Sequence, residues 1–176
     1  MDNIKIRKAT AADIAGVAAI YDEIHDAEEA GLMHIGWTRD VYPTRGTAEE
    51  ALRRGDLFVC EADSRICASA IINHHQLDSY AQGHWSVAAT GREVMVLHTL
   101  TVSPSLGKHG IGRRFVAFYE SYAHEHHCRA LRIDTQAHNL VARRMYASLG
   151  FREAGVLDCT FQGMDGIKLV LLEKPL

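Results

Sequence analysis

Residues 93–123 read EVMVLHTLTVSPSLGKHGIGRRFVAFYESYA, and they divide into three parts. The first, EVMVLHTLTV (93–102), carries apolar residues on both faces, as a strand at the centre of a sheet does. Pro104 stops it. From Gly110 onward Ile111, Phe115, Phe118, Tyr119, Tyr122 and Ala123 recur as one helical stripe. Between them Gly107, Gly110 and Gly112 leave the backbone bare. A bare loop opening a helix is a ready anion site, because the first amides of a helix lack internal partners and carry partial positive charge.

Reading outward, IKIRKA (4–9) alternates as a strand. Thr10 and Asp13 then form a capping-box variant ahead of a helix marked by Ile14, Val17, Ala18, Tyr21 and Ile24. GLMHIGWTRDVYPTRG (31–46) breaks that pattern and reads as a loop. Thr47 to Arg54 reads as a short helix, started by Thr47 and ended by Gly55. LFVCEADSRICASAIIN (57–73) gives two strands about a turn at Asp63-Ser64. A polar, irregular connection leads to the 93–102 strand. After the glycine helix, ALRIDTQ is a strand, Asn139 caps a helix bearing Val141, Met145 and Leu149, and Gly150 ends it. Two last strands follow, joined by a turn at Gly163-Met164-Asp165-Gly166. The order β-α-α-β-β-β-α-β-α-β-β predicts an α/β (α+β) fold, a mixed central sheet of about six to seven strands with helices on both faces.

The 176 residues fit a single domain, 1–176. Hydrophobic residues are 47% and charged residues 23%, an ordinary globular balance. A formal net charge of -3 argues against a general nucleic-acid binder. No apolar run is long enough for a bilayer, and MDNIKIRKAT has no apolar signal core, so a cytoplasmic location is expected. Cys60, Cys67, Cys128 and Cys159 form no CxxC pair, which suits reduced thiols, although Cys60 and Cys67 could face each other across a hairpin. HEHH (124–127) lacks the H-E-x-x-H spacing of a zinc site, and no metal is expected.

GKHGIGRR fits neither familiar phosphate loop. A P-loop requires Lys-Ser/Thr after its glycines, and a dinucleotide fingerprint requires a third glycine where Phe115 stands. The pair of stretches LHTLTVSPSLGKHGIGRRFVAFYESYA and LRIDTQAHNLVARRMYASLGFREAG instead resembles the GNAT superfamily of acetyl-CoA-dependent N-acetyltransferases. The family's [Q/R]-x-x-G-x-[G/A] aligns with Gly107-Lys108-His109-Gly110-Ile111-Gly112, departing from it at Gly107. Its N-x-x-A-x-x-x-Y-x-x-x-G-F aligns with Asn139, Ala142, Tyr146, Gly150 and Phe151. The resemblance runs from about Glu93 to Gly155. It implies a sheet splayed in its middle, with acetyl-CoA in the gap. The amides of the Gly107–Arg113 stretch would hold its diphosphate, the backbone around Leu100, Thr101 and Val102 would meet the pantetheine arm and thioester, and Asn139 and Ala142 would add contacts. The charge of Arg113 or Arg114 suits that anion independently.

Aminolysis of a thioester needs a neutral amine, a polarised carbonyl and a protonated leaving thiol. By resemblance Tyr146 protonates the thiolate; otherwise it is a packed helix tyrosine. His98, mid-strand where the family often places Glu, is a base or a core histidine bonded to backbone. Glu93 is an alternative base or a solvated strand end. Asp134 orients a cationic substrate, bonds Arg132 or caps the turn to Asn139. The acceptor pocket implied by the resemblance draws on Trp37, Tyr42 and Tyr80. The expected activity is acetyl transfer to a primary amine of a small molecule or peptide in a ternary complex. The rival is a non-catalytic acyl-CoA sensor, and a homodimer is left open.

Overall fold

The computed structural model describes residues 4–106, 109–161 and 164–176. The elements are β1 (Ile4–Lys8), α1 (Ile14–Glu29), α2 (Arg45–Arg54), β2 (Leu57–Ala62), β3 (Arg65–Asn73), β4 (Val94–Val102), α3 (Ile111–Glu125), β5 (Ala130–Gln136), α4 (Leu140–Ser148), β6 (Arg152–Phe161) and β7 (Met164–Pro175). The seven strands form one mixed, open sheet in the order β1-β2-β3-β4-β5-β7-β6. The chain packs as two compact units, Met1–Ile72 with Thr99–Phe118, and Asn73–His98 with Tyr119–Leu176. Strand β4 and helix α3 each run from one unit into the other.

In the first unit β1, β2 and β3 are antiparallel. Asp63 and Ser64 take the positive φ angles, 49° and 61°, that a tight hairpin turn demands. The expected capping box is present: Thr10 N–H donates to Asp13 Oδ2 at 2.7 Å ahead of α1. The Arg7 guanidinium forks onto the same carboxylate at 2.7 and 2.9 Å. Strand β2 is buried on both faces. Leu57 and Val59 join Val17, Tyr21, Ala48 and Ala51 of α1 and α2. Phe58, on the other side, packs its ring against Phe118 of α3, with centroids 5.6 Å apart. Helices therefore cover both faces of this part of the sheet.

Helix α2 starts earlier than its sequence suggested. Thr44, not Thr47, is the N-cap, and Thr47 is the third helical residue, whose hydroxyl accepts the Thr44 N–H at 3.0 Å. A pair of threonines three apart can cap in either register, and the extended backbone of Thr44 decides it. Gly55 closes the helix in the left-handed region, as expected. The thiols of Cys60 and Cys67 are free and buried; Cys67 Sγ donates to the Cys60 carbonyl at 3.1 Å beside an irregularity in the β2–β3 register.

In the second unit β4 runs parallel to β5, and β5, β7 and β6 are antiparallel. The core gathers Val94, Val96, Ala130, Ala154 and Leu171 with Tyr80 and Ala89 of the long connection. Tyr119 of α3 donates its hydroxyl to the Met95 and Arg132 carbonyls at 2.6 and 3.1 Å. The connection is less irregular than expected, since Asp78–Gln82 forms a 3-10 turn. Strand β4 begins at Val94; Glu93 belongs to a preceding 3-10 turn capped by Thr90. The strand after the last turn begins earlier than the glycines implied. Met164, Asp165 and Gly166 lie inside β7, Met164 pairs with Phe161, and Gly163 lies outside the described residues. No helix among the described residues is long and apolar enough to cross a membrane.

Candidate active site

The first unit supplies the end of β4 and the start of α3. Thr99 has φ of 50°, a left-handed conformation that a β-branched residue rarely takes. Its hydroxyl is hydrogen-bonded to the Tyr42 hydroxyl. Thr101, two residues on, shares a 2.7 Å hydrogen bond with Ser69 Oγ and reaches the Ser69 carbonyl at 3.2 Å. Both threonines are buried, while Leu100 and Val102 are half-buried. A reversal of φ at Thr99 breaks the strand's regular alternation where Leu100, Thr101 and Val102 were expected to present their backbone.

Past Pro104 the chain turns, with Leu106 N–H donating to the Ser103 carbonyl at 2.9 Å. Gly107 and Lys108 lie outside the described residues. His109 is exposed, and Gly110 takes φ of 75°, where an added Cβ would meet nothing within 4 Å but the backbone would be strained. The Arg114 amide donates to the Gly110 carbonyl at 3.0 Å, the first turn of α3 closing on itself. By helix geometry the amides ahead of Arg114 have no carbonyl four residues back within the helix. Ile111 anchors the turn in the core, Gly112 is half-buried, and Arg113 and Arg114 are exposed. An open, cationic helix start of this kind fits a diphosphate.

Of the residues expected around an acceptor, Trp37 and Tyr42 come together, edge to face at 5.9 Å. The segment holding them is fixed to α1: the Glu28 carboxylate accepts the Ile35 and Gly36 amides, both at 2.7 Å, and Arg39 pairs with Glu29 at 2.7 Å. Tyr42 is thus a brace on β4 as well as an aromatic surface. The Tyr42–Thr99 contact spans 57 residues of sequence and carries no local signal.

The second unit brings together Tyr80, Asp134 and Tyr146. The parallel ladder of β4 and β5 ends at the Leu97↔Ile133 pair, though β4 continues to Val102 and β5 to Gln136. Asp134 is the next residue of β5. Tyr80 donates its hydroxyl to Asp134 Oδ2 at 2.9 Å. Burial pushes the Asp134 carboxyl up to about 6, with the Tyr80 hydrogen bond pulling the other way. Tyr146 is buried on α4, its ring 5.7 Å from that of Phe151. Burial first, then the nearby Asp134 charge, holds its phenol well above the ordinary range, so it keeps its proton. Asn139 Oδ1 accepts the Ala142 amide at 3.2 Å, the expected cap.

His98 lies half-buried at the end of the same ladder. Its Nε2 is 3.1 Å from the His75 carbonyl and 3.2 Å from Asn73 Oδ1. A carbonyl only accepts, so Nε2 carries a hydrogen. Glu93 stands at the other end of the ladder, about 16 Å away by strand rise. Its carboxylate accepts the Thr90 amide at 3.2 Å and Arg129 at 3.4 Å, and these hold it below the usual carboxylate range.

Sequence reasoning missed the frame behind Asp134. The Trp85 Nε1–H donates to the Tyr80 carbonyl at 2.7 Å, the two rings lie 5.4 Å apart, and the Arg132 guanidinium sits 4.0 Å from the Trp85 ring. Arg132 and Glu173 form a buried ion pair at 3.2 Å. The aromatic content of residues 80–85 was the available signal; their partner on β5 was not. Among the described residues no group of three or more His, Cys, Asp or Glu is placed to hold a metal ion.

No curated protein matches the chain in sequence. Solved structures match over nearly the whole length. An acetyltransferase of the GNAT family from Streptococcus agalactiae has a TM-score of 0.81 at 20% identity, covering 99% of this chain and 96% of that one. A ribosomal-protein-alanine N-acetyltransferase from Brucella melitensis has 0.71 at 22%, covering 98% and 99%. A protein from Salmonella typhimurium, solved with its cofactor acetyl-CoA, has 0.71 at 17%, covering 99% and 95%. The model of the acetyltransferase (GNAT) family matches residues 17–151. With that match over most of its length, the chain belongs to the GNAT acetyltransferase family, whose acetyl donor is acetyl-CoA.

Proposed function

We propose that residues 1–176 form one acetyltransferase domain that moves an acetyl group from acetyl-CoA to a primary amine, directly, in a ternary complex. The observation that carries this reading is the glycine-led start of α3 immediately after the left-handed break at Thr99, inside the family match. Amides of the Gly107–Arg113 stretch, with the Arg113 charge, bind the diphosphate. The backbone at Leu100–Val102 meets the thioester arm, and its amides stabilise charge on the carbonyl oxygen. Asn139 and Ala142 flank the donor from α4.

Tyr146 is the acid. A phenol held above its ordinary range is fully protonated at neutral pH and can give its proton to the departing thiolate. On β4, His98 is the candidate to receive a proton. Glu93 is the weaker one, being engaged with Arg129. Trp37, Tyr42, Tyr80 and Asp134 serve the acceptor. The Brucella relative's name makes a protein N-terminus one acceptor class to try, beside small amines.

Free-thiol release from acetyl-CoA, measured against a panel of small amines and peptide N-termini, tests the proposal together with calorimetry of acetyl-CoA binding. Turnover with at least one amine is the expected result. Tight binding without turnover for every amine would favour an acyl-CoA sensor, and no binding would sink both readings.

A further inference from the structure

A carboxylate taken out of water is normally matched to a cation or to several donors. Arg132, two residues before Asp134 on β5 and therefore on the same face, is matched in this way. Its guanidinium donates to Glu173 at 3.2 and 3.3 Å, to Gln76 at 2.6 Å and to the Val87 carbonyl at 3.1 Å. Glu173 in turn accepts the Ser86 amide and hydroxyl at 2.7 and 2.6 Å. That charge pair is complete without Asp134.

Asp134 has no such match. Among the described residues no cation pairs with it, and its hydrogen bond comes from the Tyr80 hydroxyl, on one oxygen. The titratable groups that face it are Tyr80 from the long connection, Tyr146 from α4 and Cys159 from β6, each neutral when protonated. Yet the position is heavily built. Tyr80 is buried, locked to Trp85 through ring and carbonyl, and Trp85 is held by Arg132. An aromatic and ionic frame thus fixes one donor against one oxygen of a carboxylate whose other oxygen is left over. The residue is half-buried and not sealed off.

Resting on the acetyltransferase reading, we propose that Asp134 receives the ammonium group of a cationic primary amine and takes one of its protons, with Tyr80 as the positioning residue. The arrangement selects amines that arrive charged. Three protons begin on the ammonium nitrogen. One passes to Asp134 and on to solvent, which frees the nitrogen lone pair. That pair forms the carbon–nitrogen bond while the carbon–sulfur bond breaks and its electrons leave with sulfur. Tyr146 gives its proton to the released thiolate and is restored by the second proton from nitrogen, and the third stays on the amide. A carboxyl poised near 6 suits a group that must both attract a cation and accept a proton near neutral pH.

The test is the pH profile of kcat/KM for a cationic amine in wild type, Asp134→Asn, Tyr80→Phe and His98→Ala, with acetyl-CoA affinity measured by calorimetry on each. Asp134→Asn is expected to keep acetyl-CoA affinity within about twofold while kcat/KM falls about 100-fold or more. Wild type is expected to lose activity as Asp134 protonates on the acid side. Tyr80→Phe removes a hydrogen bond to the carboxylate, which raises the Asp134 pKa and moves that limb to higher pH. A thermal melt establishes that this variant is folded. Undiminished turnover in Asp134→Asn, an unmoved limb in folded Tyr80→Phe, or a limb that answers to His98→Ala alone overturns the proposal while leaving acetyl transfer intact. Wild type that binds acetyl-CoA but acetylates nothing overturns the enzyme reading itself, and this inference with it.

Discussion

Tyr146 and Asp13 show how much a single environment does to a single side chain. Burial keeps the Tyr146 phenol protonated, which suits the acid role proposed for it. Tyr146→Phe should lower turnover by about 10- to 100-fold and leave acetyl-CoA affinity within about twofold, since general acid catalysis contributes on that scale or above. Stopped-turnover assays and calorimetry on the same preparation check both halves. Asp13 is moved the other way. The Arg7 hydrogen bonds draw its carboxyl down from 3.8 to about 2, against the opposing effect of burial. A group depressed on folding adds stability above its unfolded pKa and loses it as pH falls through its folded one. With Arg7 partly open to solvent, the contribution is about 1–2 kcal/mol. Urea melts of wild type and Asp13→Asn should therefore differ at pH 7 and converge as pH falls from about 4 to about 2. The Thr10–Asp13 box was legible from four adjacent letters, whereas Arg7 joins it from β1, and Glu61 joins Arg7 from β2, with no trace in spacing.

Elements obeyed the sequence where apolar period and punctuation agreed. The hairpin at Asp63-Ser64, the stop at Gly55, the Asn139 cap and the helix after Gly110 all form as read, because glycine geometry and helix capping are local effects. Misreadings fell at boundaries where two local signals competed. Thr44 outbid Thr47, Thr90 drew Glu93 into a turn, and β7 took in Met164–Gly166 with a register irregularity there and Gly166 at a positive φ of 71°. The break at Thr99 had no signal at all, since a threonine gives no hint of positive φ. At this scale the glycine start of α3 is the sensitive point. Gly112→Glu puts a negative charge where a diphosphate is to bind, and acetyl-CoA affinity should fall by at least about 100-fold with little change in melting temperature. Calorimetry that returned the wild-type affinity would place the anion elsewhere.

For the molecule as a whole, the proposed site is readable from sequence in its donor half and faint in its acceptor half. The proposed donor half is a run of backbone, written in glycines. The acceptor half depends on contacts such as Tyr80–Asp134, 54 residues apart, that arise only when the sheet is assembled. Ligand binding should be visible globally. Acetyl-CoA at about 100 times its Kd adds about 2.7 kcal/mol to the native state, and for a chain of this size that raises Tm by roughly 5–10 °C. A thermal scan with and without acetyl-CoA, with adenine as the control, reads this directly; equal melting points would mean the native chain does not bind it.

The interleaving of the two units also has a bearing on how the chain is made. The earlier unit draws its last contribution from Thr99–Phe118, and the later one begins at Asn73. A ribosome must therefore release residues through Phe118 before the N-terminal portion can close, by which time part of its counterpart has already emerged. Cutting the gene once, anywhere between those points, strands a piece of each; complementing halves would have to carry residues 73–118 in duplicate.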